Sequence, residues 1–251
     1  MDLIYDQNFC FPLPERLENE RVKLDPFIPL KHAKLIDQTI LYPEIFRYLP
    51  FGPFKSADEF MNFYETRIRK DPGYILFAIV DKTKLNTNLN NDDAHKVPED
   101  EGHNDGPLAG LIGFVNTSPT DLVTEVGPVM ILPPFQRTHI SSNATGLLLK
   151  YALNLPSESP PGLGLRRVVW QANALNRASV GLAERMGFKL EGVLRWERAL
   201  SPSKEETGRI PREGDPRRNY FGRDTALLAL CWDDWEDGGR EKVDQVMERV
   251  K

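Results

Sequence analysis

The residues of this 251-residue chain best suited to chemistry lie in one turn, Gln136-Arg137-Thr138-His139-Ile140-Ser141-Ser142, within LPPFQRTHISSNATGLLLKYAL (residues 132–153). An apolar run enters the turn and a helical pattern leaves it. The first turn of a helix carries unpaired backbone N–H groups at the positive end of the helix dipole, so a strand-turn-helix of this kind can seat a phosphate. Ser141, Ser142 and Asn143 are capping types and predict that the helix starts there. Ala144, Leu147, Leu148, Tyr151, Ala152 and Leu155 recur at three- and four-residue spacing, which predicts an amphipathic helix. Arg137 and His139 would add a cation or an imidazole donor to an anion site. The turn is not glycine-rich, which excludes a Walker loop and a dinucleotide fingerprint.

Other chemistries find little support. Cys10 and Cys231 are the only cysteines and the four histidines (His32, His95, His103, His139) are scattered, so neither a disulfide framework nor a metal site is expected. The net charge of -5 is concentrated between Lys84 and Pro107, where two lysines oppose six acids. With no clustered basic face, no nucleic-acid partner is expected. With no apolar run of ~20 residues and no leader-like N-terminus, no membrane association is expected. These features together predict a cytoplasmic protein.

The elements that would position the turn are read as follows. A strand is expected at Arg21–Phe27, a helix from Pro29 to Ile40, and a second helix after Ser56, whose Glu59 suggests a capping box. Phe60, Phe63, Tyr64, Arg67 and Ile68 repeat at helical spacing, which predicts a core-packing face in preference to a ligand pocket, and the aromatic, proline-rich LYPEIFRYLPFGPF before it could wall a substrate site. Strands are expected at Tyr74–Asp81, Leu108–Asn116 and Val123–Ile131, the last broken by Gly127 and Pro128, because proline cannot donate to a ladder. The acidic stretch 84–107 is too polar to fold alone and predicts a disordered insertion. A strand at Arg166–Ala172, a helix at Arg177–Met186, a strand at Phe188–Ala199, a polar loop at 201–222, a strand at Thr225–Trp232 and a charged helix from Trp235 complete the order. This is a mixed α/β sheet in one domain, with an N-terminal arm at 1–20, a domain at 21–236 and a C-terminal helical segment at 237–251.

Two segments resemble a known family. The run Gln136-x-x-His139-x-Ser141 is similar to the Gln/Arg-x-x-Gly-x-Gly/Ala loop of the GNAT acyltransferases, with His139 and Ser141 in place of small residues. NALNRASVGLAERMGFKLEGVLR resembles the superfamily's second signature, here Asn176, Ser179, Gly187, Phe188, Glu191 and Gly192, and with Asp224 the pattern is most similar to the RimJ/RimL-type branch. The resemblance implies a mostly antiparallel sheet of about seven strands, with helices on both faces and a splayed middle that holds coenzyme A. It implies that backbone groups of Met130, Ile131 and Leu132 pair with the pantetheine arm and polarise the acetyl carbonyl. It also implies that the pyrophosphate sits over Gln136, Arg137, Thr138, His139, Ile140, Ser141 and Ser142, and that Asn176 and Ser179 contact the cofactor. If the family's first loop glycine has a positive φ, His139 would take that conformation at modest cost.

The reaction so implied is direct attack of a neutral amine on the thioester of acetyl-CoA in a ternary complex, with no metal. Something must accept the amine's proton. Glu125, on the splayed strand, is the favoured base, with an exposed carboxylate or an arginine partner as its plain alternative. Glu197 is a weaker candidate, because the relatives' glutamate aligns with Arg198. Ala183 occupies the place of the family's acidic tyrosine, which leaves Ser179 to assist the departing thiolate; helix capping is the structural alternative for Ser179 and Asn176. The acceptor would be a small primary amine or a protein N-terminus, and the chain a monomer or homodimer. A degenerate CoA-binding interaction module is the non-enzymatic alternative.

Overall fold

The computed structural model describes residues 5–84 and 106–249; residues 85–105 of the acidic insertion lie outside the described residues. The chain runs β1 (Val22–Pro26), α1 (Ala33–Leu41), α2 (Ala57–Phe63), β2 (Ile75–Asp81), β3 (Leu108–Ser118), β4 (Val123–Val126), β5 (Met130–Ile131), α3 (Ile140–Leu153), β6 (Arg167–Asn173), α4 (Arg177–Arg185), β7 (Lys189–Leu200), β8 (Phe221–Cys231), α5 (Trp232–Asp234) and α6 (Arg240–Glu248). One mixed sheet in the order β1-β2-β3-β4-β6-β8-β7 carries them, and β5 pairs with β3 off that path. Eight strands stand where about seven were expected, because Gly127 and Pro128 divide the fourth into β4 and β5. All pairings are antiparallel except β4 with β6.

That exception makes the cleft. β4 and β6 pair only over Val123–Glu125 and Arg167–Val169. Beyond this the chain turns at Gly127-Pro128 and re-enters as β5 against Leu111 and Gly110 of β3. β6 continues to Asn173 with β8 on its other side. The β4/β5 wall and the β6 wall therefore part. β2, buried at every position, anchors the half of the sheet from which β4 and β5 hang.

Several local expectations need correction. α1 begins at Ala33, not Pro29: the Ile28 N–H is taken by His32 Nδ1 at 2.9 Å, which makes a turn before the helix. Ser56 does cap α2, accepting from Glu59 N, but Glu59 Oε2 accepts from Lys55 N rather than completing a reciprocal box. α3 starts at Ile140 with His139 as its N-cap residue, and no side chain caps it. Ser142 Oγ and Asn143 Nδ2 instead donate back to the His139 carbonyl. Nor is α3 amphipathic: every residue from Asn143 to Leu149 is buried, and Leu155 lies outside the helix and is exposed. Its would-be solvent side is covered by α6, where Met247 packs against Gly146 so closely that a Cβ there would strike the thioether. Residues 201–222 include a 3-10 turn at Pro202–Thr207, and β8 starts at Phe221 rather than Thr225. The final helix starts at Arg240, after the short α5 and an irregular turn.

The start of α3 is tied to both ends of the chain. Asn19 Nδ2 donates to Asn143 Oδ1 at 2.7 Å, and Asn143 Nδ2 and Arg21 Nη1 both donate to Met247 O, at 3.2 and 2.9 Å. Asn143 is buried, so these bonds fix its amide and, through it, the first turn of the helix.

Candidate active site

Where the walls part lies a cleft of about 1570 Å³. Strand register decides which side chains meet there. Glu125 pairs with Val169, Gln171 with Leu227, and Arg223 with Arg198, so alternation puts Glu125, Gln171, Arg223 and Arg198 on one face of the sheet. Trp170 points to the other face, where its Nε1 donates to Ser179 Oγ of α4 at 3.0 Å.

Glu125 is 8% exposed. Burial pushes its carboxyl above the ordinary range, opposed by a hydrogen bond from Asn116 Nδ2 (2.9 Å to Oε2) and by the fields of Arg198 and Arg223. Asn116 has a positive φ of 51° and accepts from the Tyr74 hydroxyl at 2.8 Å, so Tyr74 and Asn116 hold one carboxylate oxygen. Neither residue is marked by sequence. Glu197 does not line the cleft: its Oε2 accepts from Thr225 Oγ1 at 3.0 Å, behind Arg198 on the same face of the sheet, and lies 2.9 Å from Arg198 Nε. Among the described residues it is Arg198, not Glu197, that lines the cleft.

The turn after β5 supplies donors. Among the described residues, the backbone N–H groups of Arg137, Thr138, His139, Ser141 and Ser142 make no hydrogen bond, while Ile140 N reaches Thr138 Oγ1 at 3.3 Å. The left-handed residue is Arg137 (φ 60°); His139 is right-handed (φ -68°) and needs no glycine. The His139 ring leaves the turn for Asp81, with Nε2 3.3 Å from Oδ1. Burial pushes this imidazole below its usual range, so it brings no cation to the seat at neutral pH. Arg137 is exposed beside it.

The strand before the turn offers one free edge. Leu132 donates to Ala109 O at 2.9 Å, so alternation along β5 aims the N–H and C=O of Ile131, not those of Met130 or Leu132, away from β3 and into the cleft. Gln136 Nε2 donates to the Ile131 carbonyl at 3.0 Å, which leaves the Ile131 N–H open. On the β6 side, Asn176 Oδ1 accepts from Ser179 N at 3.2 Å and caps α4. The capping alternative thus holds for Asn176. Ser179 Oγ accepts from Trp170, so its own proton is free to be donated. Ala183 is fully buried and offers nothing polar. From the aromatic segment, Tyr48, Leu49, Pro50 and Phe51 line the cleft.

Outside the cleft, Cys231, Asp233 and Asp234 come within ligand spacing of one another, a grouping the sequence did not single out; Lys189 already pairs with Asp234. Among the described residues no helix is long and apolar enough to cross a membrane.

No curated protein matches the chain in sequence. In fold it is similar to a GCN5-related N-acetyltransferase from Brucella melitensis, with a TM-score of 0.68 and 21% identity over 94% of this chain and 86% of that one. It is also similar to spermidine N-acetyltransferase from Vibrio cholerae in complex with CoA and spermine, with a TM-score of 0.59 and 16% identity over 87% of this chain and 99% of that one. Residues 21–189 match the acetyltransferase (GNAT) domain family. That match spans β1 to the start of β7, including the parted strands and the donor-rich turn, and the chain belongs to the GNAT family of acyltransferases.

Proposed function

We propose that the protein transfers an acetyl group from acetyl-CoA to a primary amine of a small molecule, by direct attack in a ternary complex. The observation that carries this reading is that the open Ile131 N–H and the buried Glu125 border one cleft, on either side of the Gly127-Pro128 break. The thioester carbonyl would accept from Ile131 N–H, a fixed donor for the developing oxyanion. Pyrophosphate would take the free N–H groups from Arg137 to Ser142, with Arg137 as counter-ion. Glu125 would accept the amine's proton directly or through water, and Ser179 would donate to the departing sulfur. Asn176 would act through the α4 cap that aims Ser179. Signature residues Asn176 to Gly192 and Asp224 favour a RimJ/RimL-type enzyme, for which a protein N-terminus is the second acceptor.

The test is acetyl-CoA binding followed by turnover. Saturating acetyl-CoA should raise Tm, and a panel of small amines and N-terminal peptides should then release free thiol. Peptides acetylated in preference to every small amine would replace the acceptor named here, and a cofactor that leaves Tm unmoved would sink the enzyme. Asn116→Gly tolerates the positive φ and removes the side chain that links Tyr74 to Glu125. It should lower kcat about tenfold. Because the lost hydrogen bond holds Glu125 down, the acid limb of the pH–rate profile should shift to higher pH; an unshifted limb would remove Glu125 from the titration.

A further inference from the structure

The same face of the cleft holds a cation with no hydrogen-bond or ion-pair partner among the described residues. Arg223 is 4% exposed and lines the cleft, yet its guanidinium makes no hydrogen bond and no ion pair among the described residues, and its Nε is wholly buried. Its strand partner Arg198 lines the cleft beside it and has Glu197 as its only ion-pair partner among the described residues. Burial and Arg198 together push Arg223 down to about 10. A buried guanidinium normally meets a carboxylate or phosphate, since leaving it unmatched forfeits both its hydration and its donors. Glu197 and, more weakly, Glu125 act on Arg223 through their fields, but neither reaches it as an ion pair. The phosphate-type seat at 137–142 follows β5, whereas Arg223 stands on β8, beyond the opposite wall, so the two cationic features serve different groups.

Resting on the acetyl-transfer reading, we infer that the acceptor is an amine that also carries a carboxylate, its amino end directed to Glu125 and its carboxylate held by Arg223 and Arg198. A guanidinium presents two parallel N–H donors that match a carboxylate, and a zwitterion would meet opposite charges at the two ends of this face. A polyamine would instead bring a second cation against two arginines.

The experiment compares ω-amino acids of two to six carbons with their carboxamides and with putrescine, in wild type and in Arg223→Met, Arg223→Lys and Arg198→Met. In wild type the acids should exceed the matched amides in kcat/KM by about 10- to 100-fold. Arg223→Met should collapse that ratio to within about threefold, and Arg223→Lys should restore part of it. Amides or putrescine equal to the acids in wild type would overturn the inference, as would a ratio intact in a folded Arg223→Met. A binding arm separates this from the transfer reading: N-acetyl-4-aminobutyrate against its amide, with CoA present, followed by tryptophan fluorescence. Arg-dependent binding of the acid alone upholds the carboxylate subsite even if no amine turns over, and equal binding of acid and amide overturns it. Absent turnover by itself counts against acetyl transfer.

Discussion

Glu125→Gln is expected to lower kcat by roughly two to four orders of magnitude, the usual range for losing a general base, and to raise Tm. The substitution is isosteric and its amide oxygen can still accept from Asn116 Nδ2, so acetyl-CoA should bind as before. The stability gain follows from linkage. Burial raises the folded-state pKa of Glu125 above its ordinary 4.5, so between 4.5 and that raised value the native protein holds more protons than the unfolded chain. Stability from this group therefore falls as pH rises through the window, and the cost of the buried carboxylate is fully present above it. The Tm difference between variant and wild type should widen as pH rises through that window and close on acidification. A catalytic group held at a cost to the fold is a common stability–activity compromise. An unchanged rate would remove Glu125 as base, and an unchanged Tm would mean that its burial is compensated.

Lys204→Met carries the second large effect, on stability. Lys204 is buried, and its ammonium donates to the carbonyls of Phe46, Leu49 and Phe51. Phe46 O also accepts from Leu49 N, but the other two have no further partner among the described residues. Stranding them should cost ~2–3 kcal/mol, a fall in Tm of roughly 5–10 °C for a chain of this size. Since Leu49, Pro50 and Phe51 line the cleft, KM for the acceptor should rise as well. Burial pushes Lys204 down to about 8 from 10.5, so between these values the unfolded chain holds more protons and this group makes stability rise with pH. That rise should be missing from Lys204→Met. Denaturant melts at pH 7 and across pH 8 to 10.5 check both statements.

What could be read without coordinates was local. The apolar runs of β2, β3 and β6, the Gly127-Pro128 break and the spacing from Asn176 to Gly192 depend on neighbours in sequence, and they led to the right fold and to the cleft. Features set by distant contacts were not legible. α3 looked amphipathic because nothing local announces that α6 will bury its other side. The family's glycine points to His139 as the left-handed residue, but the turn places it at Arg137 while Asp81 draws the His139 ring away. Arg223 was lost with the polar segment that precedes Thr225. Extending the alternation of β8 back to Phe221 would have put Arg223 on the face of Thr225 and Leu227, an odd cation among inward residues. Lys204 and the Tyr74–Asn116 pair left no such trace.

The bonds that tie Asn143, in the first turn of α3, to Asn19 and Met247, and Met247 to Arg21, bear on how the protein matures. They join residues 104 to 226 positions apart, contacts that form late because so much chain must be confined to make them. The donor-rich turn cannot reach its final rigidity until residue 247 has left the ribosome. Nascent chains halted before that point should therefore hold the β-sheet core yet fail to retain cofactor, which ties ligand capture to the emergence of α6.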